Sequence, residues 1–355
     1  MLASLAAALS AVPIQYEHTA IAPGVLLAKV KALVPQRKAE PSTLPDFPLY
    51  DQEKAYKATD NLDLEHPVLD RLTSLHTELN IFMWGDSTIA RQFFLLRGLT
   101  GGLPSETRPL YTIPVASPVS NATLCSAVDV HVHATVYGNA TISVTAAVCT
   151  TGVVTVAMAP AVLEELEQKH GLSLPDDSLL YVGGSGLHMM HIDDGVGYVC
   201  AHDWKAMKPL EEAFEEHLKH GLTELQKRYP DAKLAYFNTH SVCNTWGTSG
   251  HSVRALACKR HDMKACFLGV DVPPEEHDWY RETLFSRHGS DVMAGREHAV
   301  LRDPSLKWTT VNGHKITKDA SCDQTEDGMH YLEPTMMKMI EEALTVLESP
   351  GRRLE

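Results

Sequence analysis

Ile81-Phe82-Met83-Trp84-Gly85-Asp86-Ser87-Thr88-Ile89-Ala90-Arg91-Gln92-Phe93-Phe94 is an apolar run that breaks at Gly-Asp-Ser and resumes with helical periodicity. Ile81 to Trp84 reads as a strand covered on both faces, and Ile89, Phe93 and Leu96 fall on one face of a following helix that stops near Gly98. Ser87 is thereby expected at the carboxyl end of a sheet strand and the amino end of a helix, where unpaired N–H groups favour negative charge. A nucleophilic hydroxyl is useful there. The same tripeptide also fits a plain helix cap made by Asp86 or Ser87, so the rest of the chain has to decide between the two.

Working outward, the βα alternation repeats. Ser178 to Val182 is a second buried-strand candidate running into Gly183-Gly184-Ser185-Gly186-Leu187-His188, and Lys233 to Phe237 is a third, followed by Asn238-Thr239-His240-Ser241. Strands that end in such turns line up loops along the carboxyl edge of a parallel sheet, where α/β enzymes hold their sites. Between the first two lies a β-rich region. Val128 to Val136 and Thr141 to Thr145 alternate about a Gly138-Asn139 turn, which predicts a hairpin. Cys125 and Cys149 stand nearly symmetrically about that turn and are expected to face each other. Helices are predicted over Ala161 to His170 with Gly171 as stop, from Pro209 to Tyr229, and near Glu275 to Arg287. The last helix starts at Pro334, with a stripe of Met336, Ile340, Ala343, Leu344 and Leu347.

Asp129, His131 and His133 share one strand face, a spacing that could present two imidazoles to a zinc ion with His188 or His191 as third ligand. A polar strand face turned to solvent explains the same pattern more simply. The closing element, Asp327-Gly328-Met329-His330-Tyr331, sets an Asp three residues before a His on a loop ahead of a helix, where the carboxylate can orient the imidazole as base.

The 355 residues, 44% of them hydrophobic, suffice for a large α/β domain. The net charge of −14 is scattered, and with no Lys/Arg-rich stripe nucleic acid is not an expected partner. Seven cysteines without a Cys-x-x-Cys pair give no support to a zinc ribbon. Residues 1–75 read as an N-terminal extension, with an apolar Met1 to Val12 that is shorter than a membrane span and fits either a cleaved or truncated targeting segment or a plain amphipathic start, and a surface-lying segment from Pro35 to Asp60; residues 76–350 read as the catalytic domain. Whether the extension associates with a membrane stays open. The sequons Asn121-Ala-Thr and Asn139-Ala-Thr fit a secretory-pathway chain, in the Golgi lumen or outside the cell.

Gly85-Asp86-Ser87 with Arg91-Gln92-Phe93-Phe94, Ser185-Gly186-Leu187-His188, and Asp327-Gly328-Met329-His330-Tyr331 together resemble the three blocks of the SGNH/GDSL hydrolase superfamily, and within it the PC-esterase family of polysaccharide O-acetyltransferases and acyl esterases. The resemblance implies a three-layer α/β/α sandwich with a mainly parallel central sheet, here carrying a β-hairpin insertion. It implies Ser87 as nucleophile, His330 as base and Asp327 as its orienting partner, with Gly85, Asp86, Arg91, Gly186, His188 and Asn238 around the oxyanion and substrate. No cofactor and no metal are called for; the substrate would be a carbohydrate or another O-acylated small molecule. Two positions depart from the family pattern. Arg91 stands four residues after the serine instead of three, and Gly186-Leu187-His188-Met189 replaces a Gly-x-Asn-Asp block, leaving Ser87 and Gly186 N–H groups, with His188 or Arg91, as oxyanion donors. The rival readings are an inactive carbohydrate-binding protein on this fold and a metal-dependent hydrolase built on His131 and His133.

Overall fold

Strand β1 (Glu78–Gly85) is buried from Ile81 to Gly85 and lies at the centre of a seven-stranded sheet. The computed structural model describes residues 67–101, 107–110, 125–152, 155–190, 208–209, 211–242, 273–278, 286–320, 324–325 and 329–348, without the side chains of 107–110, 125–127, 150–152, 170, 185 and 276. All of them fall within the unit Ser42–Glu355. The other strands are β2 (Thr107–Leu110), β3 (Cys125–Tyr137), β4 (Ala140–Gly152), β5 (Leu179–Gly183), β6 (Lys233–Phe237) and β7 (Thr309–Val311), in the order β2-β3-β4-β1-β5-β6-β7. β4, β1, β5, β6 and β7 are mutually parallel, and β3 alone runs against them, pairing antiparallel with both β4 and β2. The hairpin therefore continues the same sheet, with β4 paired to β1 from Glu78↔Thr141 to Gly85↔Val148.

Period-2 alternation divides the sheet between two apolar layers. Phe82, Trp84, Leu180, Val182 and Tyr236 face α3 (Ala159–His170), α5 (Phe214–Arg228) and α6 (Arg287–Leu301). Ile81, Met83, Ile142, Val144, Tyr181 and Phe237 face α1 (Pro67–Leu75), α2 (Ser87–Leu99) and α8 (Glu333–Glu348). The result is a three-layer α/β/α sandwich. Each large side chain so buried contributes roughly 1.5–3 kcal/mol. The Trp84 indole is fully buried, and it keeps its N–H satisfied by donating to the Thr155 carbonyl at 3.1 Å. Short helices α4 (Ser185–Met189) and α7 (Gly313–Lys318) follow β5 and β7. Helix α1 packs on α8 ahead of residue 76, where the sequence had placed the start of the domain, and Tyr137 at the hairpin tip donates to its Asp70 at 3.0 Å. Among the described residues no helix is long and apolar enough to cross a membrane.

Two sequence expectations change, and a third is described only in part. Of the helix expected near Glu275 to Arg287, a 3-10 turn at Pro274–Glu276 runs into helical residues 277–278, while 279–285 lie outside the described residues; a further helix that was not expected, α6, begins at Arg287. The face of β3 carrying His131 and His133 looks into the protein under α2: His131 packs against Phe93 and Phe94 at 5.5 and 4.9 Å between ring centroids, and His133 Nε2 lies 2.9 Å from Thr100 Oγ1. Cys149 is in a disulfide, but the register sets it opposite Val128 and Cys125 opposite Gly152. That offset of three residues is about 10 Å along the strands, beyond the roughly 7 Å that a disulfide spans between Cα atoms. The segment Pro35 to Asp60 lies outside the described residues.

Two measurements follow from this burial. Non-reducing peptide mapping is expected to join Cys149 to a cysteine other than Cys125. Burial, reinforced by Arg97, lowers the His131 imidazole to about 4, and lowers His133 in the same direction. The unfolded chain binds these protons near pH 6.5 while the folded one refuses them, so stability is complete above that pH and declines as pH falls toward 4. His131 alone is expected to remove about 3 kcal/mol over that window, measured by urea unfolding, and His131→Phe is expected to flatten the decline.

Candidate active site

Gly85 ends β1 and Ser87 is the first residue of α2, so the turn between them is Asp86 alone. Asp86 is extended and caps the helix: Thr88 N–H donates to its Oδ1 at 2.9 Å, and Ala90 N–H to its carbonyl at 3.0 Å. The capping role is thus Asp86's, and the Ser87 hydroxyl is left for other use. It lies 2.8 Å from His330 Nε2, across 243 residues of sequence. With neutral imidazole, the hydroxyl donates and Nε2 accepts, which is the geometry of a serine with its general base.

His330 is held on both sides. Before it, the Met329 carbonyl accepts from His240 Nε2 at 2.8 Å; after it, Tyr331 OH donates to the Ser241 carbonyl at 2.7 Å. The His240 ring is buried, stacked on Phe237 and edge-on to Tyr331 at 6.1 and 5.9 Å. Leu332 N–H donates to the Gln324 carbonyl at 2.8 Å, closing the loop at the start of α8. Asp327 lies outside the described residues.

The remaining site residues sit in the turns behind Ser87. His188 Nε2 is 3.4 Å from Asp86 Oδ2, and both side chains are almost wholly buried. Burial would raise the Asp86 carboxyl, but the His188 imidazole, His240 and the Thr88 N–H together bring it below its usual range. Gly184, at φ +81°, faces this carboxylate so closely that a Cβ would stand 2.7 Å from Asp86 Cγ. Arg91 is buried one turn beyond Ser87 on α2. Asn238 has both ends of its amide engaged: its Nδ2 donates to Asn312 Oδ1 at 3.2 Å and its Oδ1 accepts from His314 N–H at 2.9 Å, which ties the end of β6 to α7.

Gly186 also differs from expectation. Its backbone N–H donates to Glu297, a fully buried carboxylate on α6 that also accepts from Tyr236 OH at 2.6 Å, Thr239 N–H at 2.5 Å and Thr239 Oγ1 at 2.9 Å. A buried carboxylate needs donors in just this number, so the Gly186 N–H expected at the oxyanion is drawn to Glu297. Glu297 has no motif around it, and nothing in the sequence pointed to it. His131 and His133 belong to the packing under α2. Among the described residues no cluster of three or more His, Cys, Asp or Glu side chains is arranged to hold a metal ion.

The surroundings of other proteins add little. No family model and no curated protein match the chain. Among solved structures it is similar to a protein of Parabacteroides merdae ATCC 43184, provisionally described as a GDSL-like lipase, with a TM-score of 0.33 and 10% identity over 76% of this chain and 95% of that one. The reading of the site rests on its own geometry.

Gly184→Ala is expected to lower stability by about 2 kcal/mol, since it combines a left-handed backbone with a methyl group pressed onto the Asp86 carboxylate. Thermal unfolding measures it, and an unchanged melting temperature would mean that the turn can move away from Asp86.

Proposed function

We propose that the protein is a serine-dependent acyl esterase or O-acyltransferase with Ser87 as nucleophile and His330 as base. The observation that carries this is the 2.8 Å contact between Ser87 Oγ and His330 Nε2 at the carboxyl edge of a parallel sheet, with the serine at a helix amino terminus. As Ser87 Oγ attacks the ester carbonyl carbon, its proton passes to His330 Nε2 and the carbonyl π pair moves onto oxygen. Collapse of the tetrahedral intermediate expels the alcohol, which takes the proton from His330 and leaves an acyl-serine. A water molecule or an acceptor hydroxyl then repeats the sequence, giving the acid or a new ester.

The negative oxygen is stabilised first by the Ser87 N–H and the positive end of α2, which begins at Ser87. Arg91 on the same helix is the side chain proposed to add to this, and Asp327 is proposed to orient His330, both by resemblance to the PC-esterase blocks. That resemblance also suggests acetyl groups on a carbohydrate as the substrate. The disulfide at Cys149 and the exposed sequon residue Asn139 at the hairpin tip support a secretory-pathway setting. The metal-dependent alternative loses its footing because His131 and His133 are occupied under α2.

Ser87→Ala is expected to abolish both labelling by a fluorophosphonate probe and turnover of 4-nitrophenyl acetate, with the melting temperature unchanged. His330→Ala should lower turnover by at least about a thousandfold, and Asp327→Asn by a similar or smaller factor, because members of such a unit do not act additively. Labelling retained in Ser87→Ala would remove Ser87 from the mechanism, and an unlabelled wild-type chain would favour the inactive binding protein.

A further inference from the structure

We propose that Glu297 is a positioning residue for the Ser87–His330 pair, an inference that rests on the function just proposed. Its carboxylate joins the turn after β5 to the turn after β6, accepting from the Gly186 N–H in one and from the Thr239 N–H and hydroxyl in the other. Each turn bears directly on one member of the pair. Thr239 is followed by His240, which donates to the Met329 carbonyl beside His330. Gly186 lies between Gly184, which presses on Asp86, and His188, which is paired to it; Asp86 immediately precedes Ser87. A shift of either turn is passed on through one hydrogen bond or contact.

The local sequence is shaped around this carboxylate. A Cβ at Gly186 would overlap the Thr239 hydroxyl and stand 2.7 Å from Glu297 Oε1, so glycine is what allows the β5 turn to approach. Four donors on two oxygens match the demand of an ionised carboxylate that has lost its water. Burial pushes this carboxyl up to about 7, against the pull of those four donors. An apolar side chain would fill the same space in a core, yet it would leave two backbone N–H groups without acceptors and both turns free to shift.

The test compares the full wild-type chain with Glu297→Gln and Glu297→Met by fluorophosphonate labelling of Ser87, separating the rate at saturating probe from the concentration giving half that rate. Gln retains one acceptor oxygen for the N–H groups and can donate to the Tyr236 and Thr239 hydroxyls, which turn to accept. It is expected to label within about threefold of wild type. Met is expected to slow the saturated rate tenfold or more with the half-saturating concentration within about twofold, in protein shown to be folded by circular dichroism. A Met variant that labels at the wild-type rate, or a Gln variant as slow as Met, overturns the proposal. Should Glu297→Met not fold, Thr239→Val removes one bond at nearly constant shape, and its saturated rate should fall at least threefold; a wild-type rate there overturns the proposal equally. A folded wild-type chain that takes up no probe is a different result, because it removes the nucleophile itself and this inference with it.

Discussion

The turn Gly85-Asp86-Ser87 has to meet two demands in three residues. It must end a strand buried on both faces, and it must begin a helix whose first N–H groups have no partners within the helix. Asp86 answers the second demand by capping, and in doing so it is buried completely as a charged group. That burial needs further compensation, which comes from His188 on the neighbouring β5 turn. The β5 turn is drawn in by this pair, Gly184 is required by the close approach, and Glu297 holds the same turn from behind. The arrangement of the whole carboxyl edge thus follows from a single helix cap placed inside the protein.

Much of the fold was legible because burial writes itself as pattern. β1, β5 and β6 are short apolar runs, the β3–β4 hairpin alternates about Gly138-Asn139, and α5 and α8 carry stripes of Leu, Phe, Met and Ile. Helix α6 escaped detection for a physical reason. Its buried positions, Gly289, Ser290, Met293, Ala294, Glu297 and Val300, recur at helical spacing, but half of them are not hydrophobic. The spacing is that of an amphipathic helix; the chemistry is not. The same reason hid Glu297, since a lone Glu on a polar-looking helix gives no sign that donors converge on it. His131 and His133 misled in the opposite direction, because alternation shows that two residues share a face without showing which way the face looks. Aromatic neighbours Phe93 and Phe94, over thirty residues upstream, make that face an interior one.

The Ser87 and His330 pairing was legible from local motifs, whereas their surroundings depend on contacts distant in sequence. Met329 meets His240 across 89 residues, Tyr331 meets Ser241 across 90, and Thr239 meets Glu297 across 58. No window of sequence contains both ends of any of these. Asn238 illustrates the consequence: it stands beside the right residues in sequence, but Asn312 and His314 take both ends of its amide.

The distribution of donors at this edge constrains how charge can be handled in the site. Two buried carboxylates, Asp86 and Glu297, already engage the Thr88 and Gly186 N–H groups and the His188 imidazole. A third negative centre, an oxyanion next to Ser87, would be within a short distance of the Asp86 charge and would be repelled by it. It has to gain more from the amino end of α2 than it loses to Asp86. The His188 imidazole, 3.4 Å from Asp86 Oδ2, holds that carboxylate and in the proposed mechanism would offset part of the repulsion.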